Sequence, residues 1–394
     1  LGELLSDKTD RLLLLTATPH KGDPENFRFL LSLLDPDLFA DRDVLQRAVQ
    51  RQENPIFLRR LKEHMLGFDG KPLFPPRKAI TPKFKLSSAE MQLYDAVTHY
   101  VQHNFNLAME AENRNVTFAL IVLQRRLASS LHAIYRSLES RHERLQNLRK
   151  KVLEDPDTLV EQAGEHMDDP ENAEDESARE LSEEQVLRYT VARNIEELEA
   201  EIIELEKLIR LAGQVKASGE ETKLTELRRV MENKNIRDTD EKLLVFTEAK
   251  DTLNYLLENI RNWGYKTTFI DGSVDMNERV QREHEFRDPK GAQIMVATDA
   301  ASEGINLQFC HLMVNYDVPW NPTRLEQRLG RIHRYGQETE VFMYNLVAEG
   351  TREGDVIRSI LEKLDRMSQG MGGDRVFDVI DIMLEDVRLE DLIV

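Results

Sequence analysis

The stretch that decides the fold is residues 294–337, IMVATDAASEGINLQFCHLMVNYDVPWNPTRLEQRLGRIHRYGQ. It opens on an apolar run at 294–297, and a second apolar run follows at 312–314; runs of this length predict buried strands. Each run ends in polar residues. Pro322 then favours the start of a short helix, because proline suits the first helical position. Buried strands that alternate with helices predict an α/β fold with a parallel sheet.

The predicted helix is rich in arginine. Guanidinium groups at these spacings crowd one side of a helix and repel each other. A bound polyanion would relieve that repulsion, since arginine presents a planar fork that matches phosphate oxygens. The alternative is a solvated basic helix face. The arginines are Arg324, Arg328, Arg331 and Arg334.

Two segments of this stretch carry a family resemblance. TDAASEGINLQ at 298–308 resembles motif V of superfamily-two helicases, and QRLGRIHR at 327–334 resembles their motif VI. The flanking WNP at 320–322 and YGQ at 335–337 resemble the Swi/Snf branch, the ATP-driven translocases of double-stranded DNA. The resemblance implies a RecA-like parallel sheet flanked by helices, and Thr16-Ala17-Thr18 resembles the family's motif III.

Composition narrows the class of protein. The 394 residues carry a net charge of −19, which by itself argues against nucleic acid. However, residues 154–184 contain 14 acidic residues and one basic residue, so the remainder carries only −6. The single cysteine, Cys310, fits a reducing compartment and is read as a small core residue. The chain begins without methionine and is therefore expected to be a fragment or a processed product.

The sequence predicts four regions. Residues 1–85 are read as the remnant of a first RecA-like lobe from motif III onward, with a strand at 12–15 and a helix at 25–34. Residues 86–235 are read as a long inserted helical, coiled-coil-like protrusion. Residues 236–350 form a second RecA-like lobe whose last strand is 341–347. Residues 351–394 form a helical brace.

The predicted protrusion rests on two apolar seams. Their steps of four and three residues are typical of helices that pack as an antiparallel pair. An acidic loop, near 154–184, joins them and is too polar to bury much. The region is either a spacer or a docking arm for a protein partner. The first seam runs Leu127, Leu131, Ile134, Leu138, Leu145, Leu148 and Val152, and the second Ile195, Leu198, Ile202, Leu205 and Ile209.

Two catalytic elements are missing from the chain. No G-x-x-x-x-G-K-[ST] phosphate loop occurs, and no acidic box follows a strand. The resemblance therefore implies ATP with Mg²⁺ only in an intact enzyme that has an upstream lobe. This chain alone is expected to bind no nucleotide and to be inactive. The implied setting is the bacterial or archaeal cytoplasm, at the nucleoid, in a branch near the RapA or phage-defence helicases.

The resemblance also assigns roles to residues. Arg331 and Arg334 correspond to arginine fingers at the γ-phosphate. Gly304, Asn306, Asp299, Gln327 and Arg328 correspond to nucleotide-site residues, of which Gln327 and Arg328 support the fingers. The residues implied along a double-stranded DNA path are Thr247, Gly272, Ser273, Thr298 and Trp320.

Two alternatives remain at this point. One is a non-catalytic scaffold or interaction module built on a degenerate helicase lobe, which the retention of Gln327, Arg328, Arg331 and Arg334 together disfavours. The other is an RNA helicase, against which the Trp-Asn-Pro and Tyr-Gly-Gln signatures argue.

Overall fold

The computed structural model describes residues 2–14, 29–35, 65–111, 113–164, 176–219, 221–299, 305–319, 322–352 and 354. The chain divides into two compact units, one of residues 1–73 and 362–388 and one of residues 74–361 and 389–394. The predicted motif III and nearly all of the predicted brace lie outside the described residues.

The first unit contains helix α1 (Gly2–Lys8) and a helical stretch at 29–32. The helix predicted at 25–34 is therefore present where the structure describes it. Residues 11–14 form no strand, so the strand predicted at 12–15 is absent from its described part. Exposed and half-buried positions alternate along residues 11–14, and Leu13 is 78% exposed. A leucine run without a neighbouring strand has no ladder to join.

The second unit is built on a six-stranded parallel sheet in the order β1-β7-β6-β3-β5-β4. Its strands are β1 (Arg77–Ile80), β3 (Leu243–Phe246), β4 (Thr267–Ile270), β5 (Ile294–Ala297), β6 (Leu312–Asn315) and β7 (Val341–Asn345). A separate parallel pair joins β2 (Lys83–Lys85) to β8 (Val347–Glu349). The sequence predicted β3 to β7 in place and in parallel, and the structure confirms both.

The edge of the sheet differs from the prediction. The strand at 341–345 does not close the sheet, because β1 pairs with its far side, Arg77 opposite Val341. The predicted boundary at residue 85 therefore puts β1 and β2 in the first lobe, whereas their hydrogen bonds join them to strands of the second. The sequence of β1, RKAI, begins with two charged residues, and all four of its positions are half-buried or exposed. It therefore lacks the apolar run that predicts a buried central strand.

Both faces of the sheet are buried, as a parallel sheet requires. Alternate residues of β3, such as Val245 and Phe246, enter separate cores on the two faces. One face is covered by α8 (Thr222–Asn233) and α9 (Lys250–Asn262). The other is covered by α10 (Met276–Arg287) and α11 (Pro322–Leu329).

The helical region between β2 and α8 is a bundle around its own core. Its helices are α2 (Ser88–Glu110), α3 (Arg114–Ser129), α4 (Leu131–Glu154), α5 (Thr158–Gly164), α6 (Glu176–Val186) and α7 (Ile195–Ala217). At the start of helix α2, Ser87 and Glu90 form a capping box. Helices α4 and α7 run antiparallel, since His132 contacts Lys216 and Arg149 contacts Glu199.

The predicted hairpin differs in two respects. The first seam is split at Ser130, which adopts an extended conformation and caps α4 by accepting from Ala133 N. The acidic segment is not simply a polar loop, because α6 forms within it and buries Glu183 and Val186. The carboxylate of Glu183 pairs with two arginines of α3. These ion pairs offset the free-energy cost of burying its charge.

Candidate functional site

The polar residues that follow four of the parallel strands lie at one edge of the sheet. Strands β3, β4, β5 and β6 run parallel and in register, with Phe246 opposite both Ala297 and Asn315. The residues that follow them, including Thr247 and Thr298, therefore lie at a common carboxyl edge. Ligands bind at this edge in open α/β sheets.

The threonines at this edge face inward. Thr247 has no exposed surface, and its hydroxyl donates to Asp317 Oδ2 at 2.5 Å. Thr298 also has no exposed surface, and its Oγ1 has no hydrogen-bond partner among the described residues. Neither side chain is available to DNA in this conformation, contrary to the role that the resemblance implies. The sequence could not show this, because the pairing partner of Thr247 lies 70 residues away.

Asp317 is the acceptor around which this edge is organised. Besides Thr247, it accepts from Ser129 Oγ of α3 at 2.8 Å, and it pairs with Lys223 Nζ of α8 at 3.0 Å. Burial alone would raise the pKa of Asp317, but the Lys223 ammonium and the hydroxyl donors outweigh burial and lower it. This charged carboxylate joins the helical region to the sheet, and sequence reasoning did not single it out.

Arg328 is also internal. It has no exposed surface; its Nε donates to Asp299 Oδ1 at 2.6 Å, and its Nη1 donates to the Asp317 carbonyl at 2.7 Å and to Asn315 Oδ1 at 3.3 Å. Its Nη2 has no partner among the described residues. In this conformation Arg328 does not present itself to a nucleotide; it fixes α11 to the ends of β5 and β6.

The four arginines of the predicted helix do not share one helix. Helix α11 ends at Leu329, before Gly330, and the chain continues in turns in which Ile332 N and His333 N both donate to Leu329 O. Arg324 and Arg328 lie within α11 and pair with carboxylates of their own lobe. Internal carboxylates, and not a bound polyanion, therefore relieve the repulsion between these two.

Arg331 and Arg334 lie in the turns beyond the helix. Arg331 is half-buried, and its Nε donates to Gln327 O at 3.3 Å. Arg334 is exposed, its Nη1 lies 3.5 Å from Ile305 O, and no carboxylate of the described residues lies within 4.0 Å of it. Arg334 is thus a cation held at the surface by one long backbone contact. The structure does not lock it into an ion pair within the described part of its lobe.

The segments that carry motifs V and VI are bound to each other. Leu307 N donates to Arg331 O at 3.1 Å, and Gln337 Nε2 donates to Gln308 O at 2.7 Å and to Cys310 O at 3.0 Å. Gly336 adopts φ 95°, a conformation that favours glycine. The YGQ tripeptide thus turns the chain back onto the segment after β5 and positions the arginines beside it.

The remaining predicted residues are placed as follows. Gln327 is exposed, and Asn306 is half-buried with its Nδ2 3.3 Å from Gln308 Oε1. Gly304 and Trp320 lie outside the described residues. Ser273 is exposed beside half-buried Gly272, on a turn held by Asp271, which accepts from Ser273 N at 3.0 Å and from its hydroxyl at 2.6 Å.

Cys310 is a core residue, as its sequence context indicates. It is 1% exposed, burial raises the pKa of its thiol to about 12, and its Sγ donates to Lys242 O. A thiol so protonated is a poor nucleophile. In the part of the chain that the structure describes, no group of three or more His, Cys, Asp or Glu residues is arranged to hold a metal ion. No described helix is long and apolar enough to cross a membrane.

The sheet and its polar carboxyl edge define a RecA-like α/β protein. Residues 222–336 match the helicase conserved C-terminal domain. The uncharacterized ATP-dependent helicase YqhH of Bacillus subtilis is 26% identical over 97% of this chain and 58% of its own length. The CHD3-type chromatin-remodeling factor CHR7 of Arabidopsis thaliana is 24% identical over 94% of this chain and 26% of its own length. Residues 222–336 are thus similar to the C-terminal domain of helicases, and the chain as a whole is similar to an ATP-dependent helicase and to a chromatin-remodeling factor.

Two solved structures resemble this one. The C-terminal part of the Fun30 ATPase domain is 19% identical, with a TM-score of 0.43, over 72% of this chain and 89% of that chain. The Pyrococcus furiosus Hef helicase domain is 14% identical, with a TM-score of 0.49, over 81% of this chain and 64% of that chain. The chain thus spans about 58% of its bacterial relative and a smaller share of the plant one.

Proposed function

We propose that this chain is the second half of an ATP-dependent translocase of double-stranded DNA and supplies arginine fingers to its ATP site. The observation that carries the proposal is Arg334. It is exposed, no described carboxylate pairs with it, and it lies beside the segment after β5 at the ligand-binding edge of the sheet. Exposed guanidinium groups at such an edge suit the charge of a transferring phosphoryl group.

The proposed reaction is hydrolysis of ATP with Mg²⁺: water attacks the γ-phosphoryl group, the bond to the β-phosphate oxygen breaks, and ADP and inorganic phosphate are released. The phosphate loop and acidic box, which are absent from this sequence, are assigned to a first RecA-like lobe outside it. Arg331 and Arg334 stabilise the negative charge that develops on the phosphoryl oxygens. Gln327 and Arg328 keep the finger segment in place, the former through its carbonyl and the latter through Asp299.

The proposed DNA path follows the exposed turn after β4. Ser273 presents a hydroxyl there, and Gly272 permits close approach of the backbone. Contacts of this kind position a phosphate backbone without reading sequence. Thr247 and Thr298 support the turns from inside, and Trp320 is kept as a candidate from the resemblance alone. The enzyme would thus act on DNA regardless of its sequence.

Arginine substitution in the full-length enzyme tests the proposal. Arg334→Ala and Arg331→Ala are each expected to lower the kcat of DNA-stimulated ATP hydrolysis by a factor on the order of 10³–10⁵, the effect of arginine fingers in related NTPases. Because the fingers act on the transition state, KM for ATP should change little. Arg261→Ala is the control. Arg261 is exposed at the C-terminal end of α9, and its side chain bonds only to Thr267 among the described residues.

Unchanged turnover in both finger variants would overturn the finger assignment. A full-length protein that lacks a phosphate loop and an acidic box would leave the non-catalytic scaffold. A purified chain of residues 1–394 is expected to show no DNA-stimulated turnover, because it lacks the phosphate loop. Robust turnover by that chain would also contradict the division of the site between two lobes.

A further inference from the structure

A row of alternating charges connects the helical region to the finger segment. It begins in α6, passes through α3 and the turn after β3, and ends in α11. We call it the charge row. Its members, in order, are Glu183, Arg125, Glu248, Arg324, Asp299 and Arg328.

Arg125 is the member that joins the two regions. Its Nη1 lies 3.2 Å from Glu183 Oε1 of α6, and its Nη2 lies 3.3 Å from Glu248 Oε1 after β3. One guanidinium plane thus contacts a carboxylate of the bundle and a carboxylate of the sheet edge. Lysine, with a single ammonium, does not offer this two-sided geometry.

From Glu248 the row continues into α11. Arg324 Nη1 lies 3.7 Å from Glu248 Oε1 and 3.6 Å from Asp299 Oδ2, and Asp299 Oδ1 accepts from Arg328 Nε at 2.6 Å. Arg328 lies three residues before Arg331. Glu248 is thus connected to the helix that immediately precedes the turns with the predicted fingers.

The row is shielded from water. The side chains of Arg125 and Glu248 are each 12% exposed, and that of Glu183 is 9% exposed. Electrostatic interactions in such surroundings are stronger and less screened than at the surface. Burial raises the pKa of Glu248 despite Arg125, so its charge depends on the arginines that face it. We therefore expect the contact between the bundle and α11 to weaken when either Arg125 or Arg324, the two arginines beside Glu248, is removed.

The end of α3 is fixed to the same edge. Ser129, one turn after Arg125, donates to Asp317 Oδ2 at 2.8 Å and contacts Thr252 Oγ1 of α9 at 2.7 Å. Lys223 Nζ donates to the carbonyls of Ala128 at 2.7 Å and Ser129 at 3.1 Å. The end of α3 is thus held against the sheet edge, which keeps Arg125 within reach of Glu248.

We propose that Arg125 is a positioning residue for the finger segment, through which the placement of α6 and α3 sets the geometry of α11 and the turns after it. The inference rests on the proposed function for its effect on ATP hydrolysis, but the mechanical coupling does not. A ligand or partner that moves α6 would then alter hydrolysis without touching the ATP site.

The coupling is tested first without nucleotide, by hydrogen exchange in the full-length enzyme. The amides of 331–333 are hydrogen-bonded to Arg328 O and Leu329 O, so their protection reports the order of the turns. Arg125→Gln and Glu183→Gln are expected to speed their exchange by about tenfold, the effect of a modest local opening. Unchanged exchange in both variants would overturn the proposal.

Glu184→Gln is the matched control. Glu184 neighbours Glu183 on α6 but pairs with Arg144 of α4 at 3.2 Å, with side-chain exposures of 44% and 35%, and is not part of the charge row. Its variant should leave the exchange of 331–333 unchanged. Equal effects from Glu183→Gln and Glu184→Gln would show general loosening of α6, and the positioning role would be rejected.

Turnover provides the second readout. Arg125→Gln should lower kcat about 10- to 100-fold with little change in KM for ATP, because misplacement of a catalytic group by about 1 Å costs that much. Arg125→Lys should recover only part of the loss. Faster exchange without any effect of Arg331→Ala or Arg334→Ala on turnover would refute the finger assignment and leave the coupling intact. If Arg125→Gln fails to fold, Glu183→Gln carries both measurements.

Discussion

Among the residues that the structure describes, two arginines have no exposed surface, and they are bonded differently. In the bundle, Arg141 donates from Nε to Tyr100 Oη at 2.7 Å, from Nη1 to Leu187 O at 3.2 Å and from Nη2 to Glu201 Oε1 at 2.7 Å. At the sheet edge, Arg328 uses Nε and Nη1, whereas its Nη2 has no partner among the described residues. The first guanidinium closes a core; the second leaves hydrogen-bonding capacity unused.

The difference reflects what each region does. Burial opposes the charge of Arg141, but the attraction of Tyr100 and Glu201 outweighs it and raises its pKa. A network satisfied in this way fixes a unique packing of α2, α4 and α7. An unsatisfied donor costs stability, and native folds tolerate one chiefly where function requires it. Arg328 lies beside the predicted fingers, which is consistent with that rule.

The largest effect is expected from Arg141→Met. Removing the guanidinium leaves Glu201 buried without its cation, and breaking a buried pair in this way costs about 3–5 kcal/mol. Thermal unfolding should therefore show a large fall in the midpoint of the bundle. Arg149→Met is the control: its pair with Glu199 is 42% exposed on both sides and should cost no more than about 1 kcal/mol. Equal losses of stability in the two variants would show that burial of the Arg141 pair does not increase its contribution.

A smaller loss of stability is expected from Arg328→Met. One donor is already unpaired, and Asp299 keeps Arg324 at 3.6 Å, so about 1–3 kcal/mol should be lost. Turnover, by contrast, should fall sharply, because α11 loses its attachment to β5 and β6. The same denaturation and turnover measurements apply. A stability loss that matches that of Arg141→Met would show that the two arginines are structurally equivalent.

Much of the lobe could be predicted from the sequence. Strands β3, β5 and β6 are short, wholly buried apolar runs, and their polar ends mark the ligand-binding edge without further information. Strand β1 could not be found in this way, since its signal is a partner strand about 260 residues along the chain. The split at Ser130 was likewise hidden, because the apolar spacing continues across it.

The candidate site could be predicted only to the level of its location. Thr247 and Ser273 both follow apolar strands, yet Thr247 turns inward to Asp317 and Ser273 faces solvent. Which way a polar side chain turns depends on a distant carboxylate, and one sequence contains no sign of that pairing. The same applies to Arg125, which reads as one more charge on an amphipathic helix.

Glu221 is a buried carboxyl group that lies between the bundle and the sheet, and it can be compared with the two buried arginines. It occupies the N-cap position of α8 without making a side-chain capping hydrogen bond. Its carboxylate instead accepts from Leu131 N of the bundle at 3.3 Å and from Tyr316 Oη of the sheet at 3.2 Å. Burial raises its pKa to about 7 from an ordinary 4.5, although Lys223 opposes the rise. Burial thus disfavours the charged form of Glu221, whereas the charge of Arg141 is stabilised by its neighbours.

The sign of its pH dependence follows from proton linkage. The folded state holds the Glu221 proton more tightly than the unfolded state, so its contribution to stability falls as the pH rises from about 4.5 to about 7. Glu221→Gln removes that charge, but the amide has one acceptor oxygen for two donors, so the gain at pH 8 should be only about 1 kcal/mol. Below pH 5 the advantage should vanish. Denaturant unfolding of both proteins at pH 5 and pH 8, with exposed Glu232→Gln as the control, measures the difference. A gain of the same size at both pH values would mean that the folded and unfolded states hold the Glu221 proton equally tightly, and that burial does not raise its pKa.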